Sequence, residues 1–271
     1  CSRRLGDNLM GEEWRFIGQT QAGALHLKSG GFCQDAFRIE IIDSSEGQFL
    51  AFCCSDGAGT AIHGLEGALL VCDKFLELAR RYCLGFDRFS SNLSRESGMR
   101  WIETIRASLI EKAHIAQVPP RELACTLLAG IVSPHSSVFL QVGDGAIVIG
   151  EREALEVVFW PQRGEYINST NFVTDENAPR IMEFKVSGRV NELAVFTDGL
   201  ERLLLKWDLE IVHEPAIRPM LRQLASTPKE RIRDLEYSLG QFLQSEAVTS
   251  RTEDDTSLIL AVRRADDGST S

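Results

Sequence analysis

Apolar and polar positions along the chain change period several times, and each change marks an element. Residues 14–27 read as a first strand entering a glycine-containing turn, and 35–42 and 48–55 as two further strands. "DAFRIEII" alternates and is rich in β-branched residues, and "QFLAFCCS" is a buried run. The turns between them are short, which favours antiparallel pairing. The period then becomes helical. Leu65, Leu69, Cys72, Leu76, Ala79 and Cys83 make one stripe. Residues 86–99 are polar and read as a loop. A second stripe, Ile102, Ile105, Leu109, Ala113 and Ala116, predicts a helix over 99–117 that Pro119 and Pro120 close. Strands return at 124–133, 137–144, 146–151 and 155–160. After an irregular stretch at 161–180, two more follow at 180–188 and 192–199. Helical spacing over 217–225 and 228–244 places Leu221, Leu224, Ile232, Leu235, Leu239, Phe242 and Leu243 on apolar faces, and "TSLILAVRR" is a closing strand.

Strands, two helices, many strands, helices, strand is an α+β order with helices grouped in runs. It predicts two antiparallel sheets with helix pairs outside them. No repeat or long linker divides the chain. Residues 1–13 read as a flexible leading segment, 14–264 as a single domain and 265–271 as a disordered polar tail.

The chain has 271 residues, of which 44% are hydrophobic, and a formal charge of −10. A length of this order supports a full core. The acidity argues against nucleic acid as the main partner, because a phosphate backbone needs a basic surface. No run of about 20 apolar residues and no basic-then-apolar leader is seen, so no membrane role is expected. There are seven cysteines, with no C-x-x-C pair, and most lie in apolar runs. They read as reduced core thiols, which suits a cytoplasmic protein.

Aspartates recur at the ends of the expected strands. Asp56 ends one in "CSDGAG", Asp144 in "VGDGA" and Asp198 in "FTDGL", each followed by glycine. Asp35 begins one in "CQDAF", and Asp254 precedes one in "DDTSLIL". One aspartate before glycine is a surface turn. Five at strand ends are a different matter, since antiparallel pairing gathers those ends. Carboxylates gathered together repel and take up protons unless cations neutralise them. Oxygen ligands of this kind suit Mg²⁺ or Mn²⁺. No zinc-type His/Cys pattern is present.

In this order the motifs "CQDAF … CSDGAG … VGDGA … FTDGL … DDTSLIL" resemble the metal-dependent protein phosphatases, the type 2C serine/threonine phosphatases. The likeness runs from about residue 16 to 264. "GEYINSTNFVT" (164–174) and "HLKSGGFCQDAF" point to a bacterial branch. The resemblance implies a four-layer αββα sandwich and two Mg²⁺ or Mn²⁺ ions per chain. It implies that Asp56 bridges the ions, that the Gly57 carbonyl binds one, and that Asp198 and Asp254 hold the other. Asp35, with Gln34, would hydrogen-bond metal-bound water. The implied reaction is hydrolysis of phosphoserine or phosphothreonine by a metal-bridging hydroxide. The implied partners are a phosphorylated protein substrate and a cognate serine/threonine kinase.

The chain also departs from the family pattern. Ala58 stands where many members carry a histidine proposed as general acid. Gly30 stands where eukaryotic members carry a phosphate-gripping arginine, leaving Lys28 or His26 as candidate phosphate contacts. Asp144 matches one ligand of a third metal site, but Arg202 stands where the second would be. Two other readings stay open on the residues alone: a phosphatase-like binding or regulatory module with weak or no catalysis, and a phosphomonoesterase of small molecules.

Overall fold

The computed structural model describes residues 12–85, 93–151, 154–161 and 170–265. The chain runs β1 (Glu12–Gln21), α1 (Ala24–Ser29), β2 (Ala36–Ser44), β3 (Gly47–Ser55), α2 (Gly64–Cys83), α3 (Arg95–Ala116), β4 (Leu127–Val132), β5 (Ser137–Val142), β6 (Ala146–Gly150) and β7 (Leu155–Val157). It continues α4 (Ala178–Ile181), β8 (Glu183–Ser187), β9 (Glu192–Phe196), α5 (Glu201–Leu204), β10 (Leu205–Lys206), β11 (Ile211–Val212), α6 (Glu214–Ser226), α7 (Ile232–Leu243), α8 (Glu246–Thr249) and β12 (Thr256–Ala265).

Two five-stranded sheets form, in the orders β1-β12-β9-β6-β7 and β2-β3-β4-β5-β8. Every neighbouring pair is antiparallel. The period-2 pattern of β3 explains how they stack. Leu50, Phe52 and Cys54 join Leu128, Ile147, Ile149, Leu193, Val195 and Ile259 in a cluster drawn from both sheets. The alternate residues Ala51 and Cys53 face outward into a cluster with Val71, Phe75, Ile102, Ile105 and Leu109 of α2 and α3. On the opposite side, Val148, Phe196 and Leu258 pack on Ile217, Leu221 and Leu224 of α6 and on Leu239 and Leu243 of α7. The result is the four-layer αββα sandwich. Each fully buried Phe or Leu contributes about 2 kcal/mol to it.

Several expected boundaries are corrected. In the stretch expected as a strand entering a glycine-containing turn, 14–27, the strand ends at Gln21 and residues 24–29 form α1. Gly30, at φ 72°, ends α1 with its N–H directed at the carbonyls of His26 and Leu27. The loop expected over 86–99 overlaps α3, which begins at Arg95 because the Ser94 side chain accepts the Ser97 N–H; residues 86–92 lie outside the described residues. The strand expected over 180–188 starts at Glu183 after a helical turn, and that expected over 192–199 ends at Phe196.

The expected α2 stripe faces the core at Cys72, Leu76, Ala79 and Cys83, joined there by Ala68, Val71 and Phe75, while Leu65 and Leu69 lie at its margin. Gly67 permits this, since a Cβ there would meet the Leu123 carbonyl at 2.2 Å. Ala116 on the α3 stripe is exposed.

β1 begins at Glu12, and Ala265 closes β12, paired with it. Strand pairing thus reaches into both end segments expected to be flexible; residues 1–11 and 266–271 lie outside the described residues. Cys53, Cys54, Cys72, Cys83 and Cys125 are buried free thiols, and Cys33 is a half-buried one. Among the described residues, no helix is long and apolar enough to cross a membrane.

Candidate metal centre

Antiparallel pairing brings one set of strand ends together. The end of β3 meets the start of β2 at the pair Ser55–Ala36, and the end of β9 meets the starts of β12 and β6 at Phe196–Leu258 and Phe196–Ala146. Asp56 leaves β3 held by main-chain and side-chain hydrogen bonds to Thr126: its N–H donates to Thr126 Oγ1 at 2.9 Å, and its carbonyl accepts the Thr126 N–H at 2.8 Å. Asp144 sits in the tight β5–β6 turn between Gly143 at φ 97° and Gly145 at φ 82°, conformations that favour glycine. Asp198 opens a 3-10 turn just after β9.

These elements place carboxylate oxygens of Asp56, Asp144 and Asp198 within 4.8 Å of one another. Asp35 lies behind them, 3% exposed. Its Oδ2 accepts from Thr197 Oγ1 at 2.8 Å and from Ser257 Oγ at 2.7 Å, while its Oδ1 is buried without a partner. Asp198 Oδ1 and Gln34 Oε1 are likewise buried and unpartnered. Buried acceptor oxygens left without a partner on aspartates of a gathered group suit hard divalent cations. The donor set therefore fits them.

The electrostatics agree. Burial, and then the neighbouring Asp35, Asp198, Asp254 and Asp144, push the Asp56 carboxyl well above the usual range. Burial followed by Asp144 and Asp254 raises Asp198 to about 8. Burial raises Asp35 to about 7, despite the stabilising hydroxyls of Ser257 and Thr197. Burial also raises Asp144, against the hydrogen bond it accepts from Thr170 at 2.7 Å.

Asp254 stands at the exposed edge of this group. Its Oδ1 accepts the N–H of Asp255 at 2.9 Å, and its charge reaches Asp56, Asp144 and Asp198. Gly57 is wedged between elements: its N–H donates to the Gln34 carbonyl at 3.2 Å, and a Cβ there would meet the Gly64 carbonyl carbon at 2.5 Å. Gln34 Nε2 donates to the Ala61 carbonyl at 3.2 Å. Lys28 pairs with Glu253 at 2.9 Å, and His26 Nδ1 lies 2.9 Å from Asp255 Oδ1. Glu201, three residues beyond Asp198, accepts the Gly145 N–H at 2.9 Å and so fixes the Asp144 turn.

Asp255 is the residue that sequence reasoning missed. It is 2% exposed. Its Oδ1 accepts the Gly23 N–H at 2.7 Å and its Oδ2 the Gln34 N–H at 2.6 Å. One carboxylate thereby clamps both ends of the Gly23–Gln34 excursion beside Asp35 and Asp254. Asp255→Ala is expected to strand two buried donors and cost about 3 kcal/mol, with a fall in activity as Asp35 shifts. Asp255→Asn, keeping one acceptor oxygen, should recover roughly half of that loss. Urea denaturation of the three proteins measures both; an alanine variant as stable as the parent would remove the clamp.

The chain and its fold have counterparts among known proteins. The model of the family described as protein phosphatase 2C matches residues 22–244. Serine/threonine-protein phosphatase 3 of Escherichia coli (strain K12) is 34% identical over 251 residues, 92% of this chain and 98% of that protein. The serine/threonine phosphatase Stp1 from Staphylococcus aureus shares the fold at a TM-score of 0.60 and 18% identity, over 96% of this chain and 98% of its own. The S. agalactiae serine/threonine phosphatase does so at 0.62 and 17%, over 92% and 99%. The catalytic domain of PstP, whose structure holds two manganese ions, does so at 0.58 and 12%, over 93% and 99%. With a family model spanning most of its length and a relative matched nearly end to end, the chain belongs to the protein phosphatase 2C family, the serine/threonine phosphatases its ordered aspartates resemble.

Proposed function

We propose that this chain is a metal-dependent serine/threonine protein phosphatase, hydrolysing phosphoserine and phosphothreonine monoesters that a serine/threonine kinase has made. The observation that carries the reading is the convergence of Asp56, Asp144 and Asp198 at one end of the sandwich. Asp56, the Gly57 carbonyl, Asp198 and Asp254 would hold two Mg²⁺ or Mn²⁺ ions, with Asp144 a candidate ligand of a third. When bound, such ions activate water and neutralise charge on the phosphoryl oxygens.

The chain's own residues supply the rest. Thr197 and Ser257 fix the Asp35 carboxylate through Oδ2, which leaves Oδ1 aimed inward to accept a hydrogen bond from water. The Asp255 clamp sets the main chain of Gln34, and with it the position of Asp35. The glycine-flanked turn and Glu201 hold Asp144 toward the cluster. The six free thiols among the described residues, five of them buried, support a cytoplasmic setting. The two other readings gain no observation of their own.

The test is hydrolysis of p-nitrophenyl phosphate and of a phosphothreonine peptide, with Mn²⁺, with Mg²⁺ and with EDTA. Turnover in the presence of metal and none in EDTA is the expected result. Turnover that survives EDTA would sink the reading.

A further inference from the structure

Large apolar side chains scattered singly over a surface are ordinary. Here their distribution is uneven. Of the ten such exposed side chains among the described residues, four lie in two short stretches beside the carboxylate cluster: Leu25 at 56% exposure, Leu27 at 64%, Phe32 at 81% and Ile62 at 80%.

Both stretches are tied to the strand end that carries Asp56. Gln34, two residues from Phe32, accepts the Gly57 N–H through its carbonyl. Its side chain donates to the carbonyl of Ala61, next to Ile62. The stretch bearing Leu25, Leu27 and Phe32 is not a loose loop. Asp255 clamps it at Gly23 and Gln34. The Leu25 N–H donates to the Glu253 carbonyl at 3.1 Å, and the Gly31 N–H to the His26 carbonyl at 2.8 Å. Apolar groups on a fixed backbone engage a partner with little further ordering cost.

We propose that Gly23–Gln34, with the turn at Ile62, is a docking ledge for the substrate peptide, taking apolar side chains within a few residues of the phosphorylated one. The proposal rests on the phosphatase reading above. Continuity with the site names this occupant. A phosphoresidue seated at the carboxylate cluster carries its flanking peptide out across the segments hydrogen-bonded to Gly57. Lys28 on the ledge is paired with Glu253 at 2.9 Å, so the contacts the ledge leaves open to a flanking peptide are its exposed apolar side chains. Phe32, 81% exposed, is the natural anchor, because an aromatic ring buries a large apolar area on contact.

The experiment uses the full chain with Mn²⁺ and three substrates. These are p-nitrophenyl phosphate, a phosphothreonine peptide with Leu and Phe flanks, and the same peptide with Ser and Gly flanks. The parent protein is expected to favour the apolar peptide by about tenfold in kcat/KM, as burial of one apolar side chain allows. Phe32→Ser and Leu27→Ser should remove that preference, with p-nitrophenyl phosphate turnover within about twofold of the parent. Equal rates on the two peptides in the parent, while p-nitrophenyl phosphate is hydrolysed, would overturn the ledge and leave the phosphatase reading standing. So would variants that slow p-nitrophenyl phosphate as much as peptide. A parent dimer that Phe32→Ser dissociates, or parent binding to phosphatidylcholine vesicles that the variant loses, would assign the surface to a second copy or to lipid and overturn it too. No turnover of any of the three substrates would overturn both readings.

Discussion

Asp56→Asn is expected to lose at least about a thousandfold in kcat, equivalent to about 4 kcal/mol of transition-state stabilisation, and to become more heat-stable in EDTA. The two effects have one cause. Asp56 lies where Asp35, Asp198, Asp254 and Asp144 all bear on it, and their repulsion adds to the cost of burying its charge. A neutral amide of the same shape relieves that repulsion in the metal-free protein. It also removes the carboxylate that would be shared between two cations, so metal affinity and turnover fall together. An aspartate that merely capped a turn would behave in the opposite way, since its replacement would lower stability and spare activity. Initial rates on p-nitrophenyl phosphate and melting curves in EDTA decide the matter. A variant that keeps turnover, or that melts earlier than the parent in EDTA, would return Asp56 to the status of a turn residue.

The layers and the carboxylate cluster were legible in the sequence for a common reason: both follow from local periodicity. "QFLAFCCS" is an apolar run, as a strand covered on one face by the other sheet and on the other by α2 requires, and Asp56 follows it directly. The same logic placed Asp144 and Asp198, because antiparallel pairing puts the ends of β3, β5 and β9 with the starts of their neighbours. The unreadable parts depend on distant partners. "ALHL" alternates as a strand would, yet it coils into α1. Its entry residue Gly23 is fixed by Asp255, 232 positions away. Asp255 itself follows another acidic residue, and nothing local distinguishes a ligand from a clamp. Lys28 and His26 were candidate phosphate contacts by sequence position; they meet Glu253 and Asp255 because α1 folds back onto the entry to β12. The early start of α3, by contrast, has a local cause, since the Ser94 side chain caps the helix by accepting the Ser97 N–H.

The gathered carboxylates also fix how stability depends on pH and metal. In the folded chain, Asp35 holds its proton up to about 7 and Asp198 up to about 8, against an ordinary 3.8. The unfolded chain releases both near that ordinary value. Between those limits the folded state therefore binds more protons than the unfolded state, and stability falls as pH rises. Metal-free protein is thus expected to melt earlier at pH 8 than at pH 6. Glu66, Glu77 and Glu214, held below their usual range by hydrogen bonds, exchange protons at more acid pH and leave this window untouched. Divalent cations compete with those same protons, so they bind better at pH 8 and restore what deprotonation removes. At a hundredfold excess over Kd, each site adds about 2.7 kcal/mol, or about 5 kcal/mol for two. In a chain of this size that is a rise of about 10 °C or more in Tm. Differential scanning fluorimetry at pH 6 and 8, with Mn²⁺ and with EDTA, should show a wider gap between the two at pH 8. Asp198→Asn should flatten the EDTA slope and shrink the gap, because it removes one titrating group and one ligand at once. A Tm in EDTA that climbs from pH 6 to 8, or a Mn²⁺ gap equal at both, would mean that these carboxylates neither store protons nor exchange them for metal.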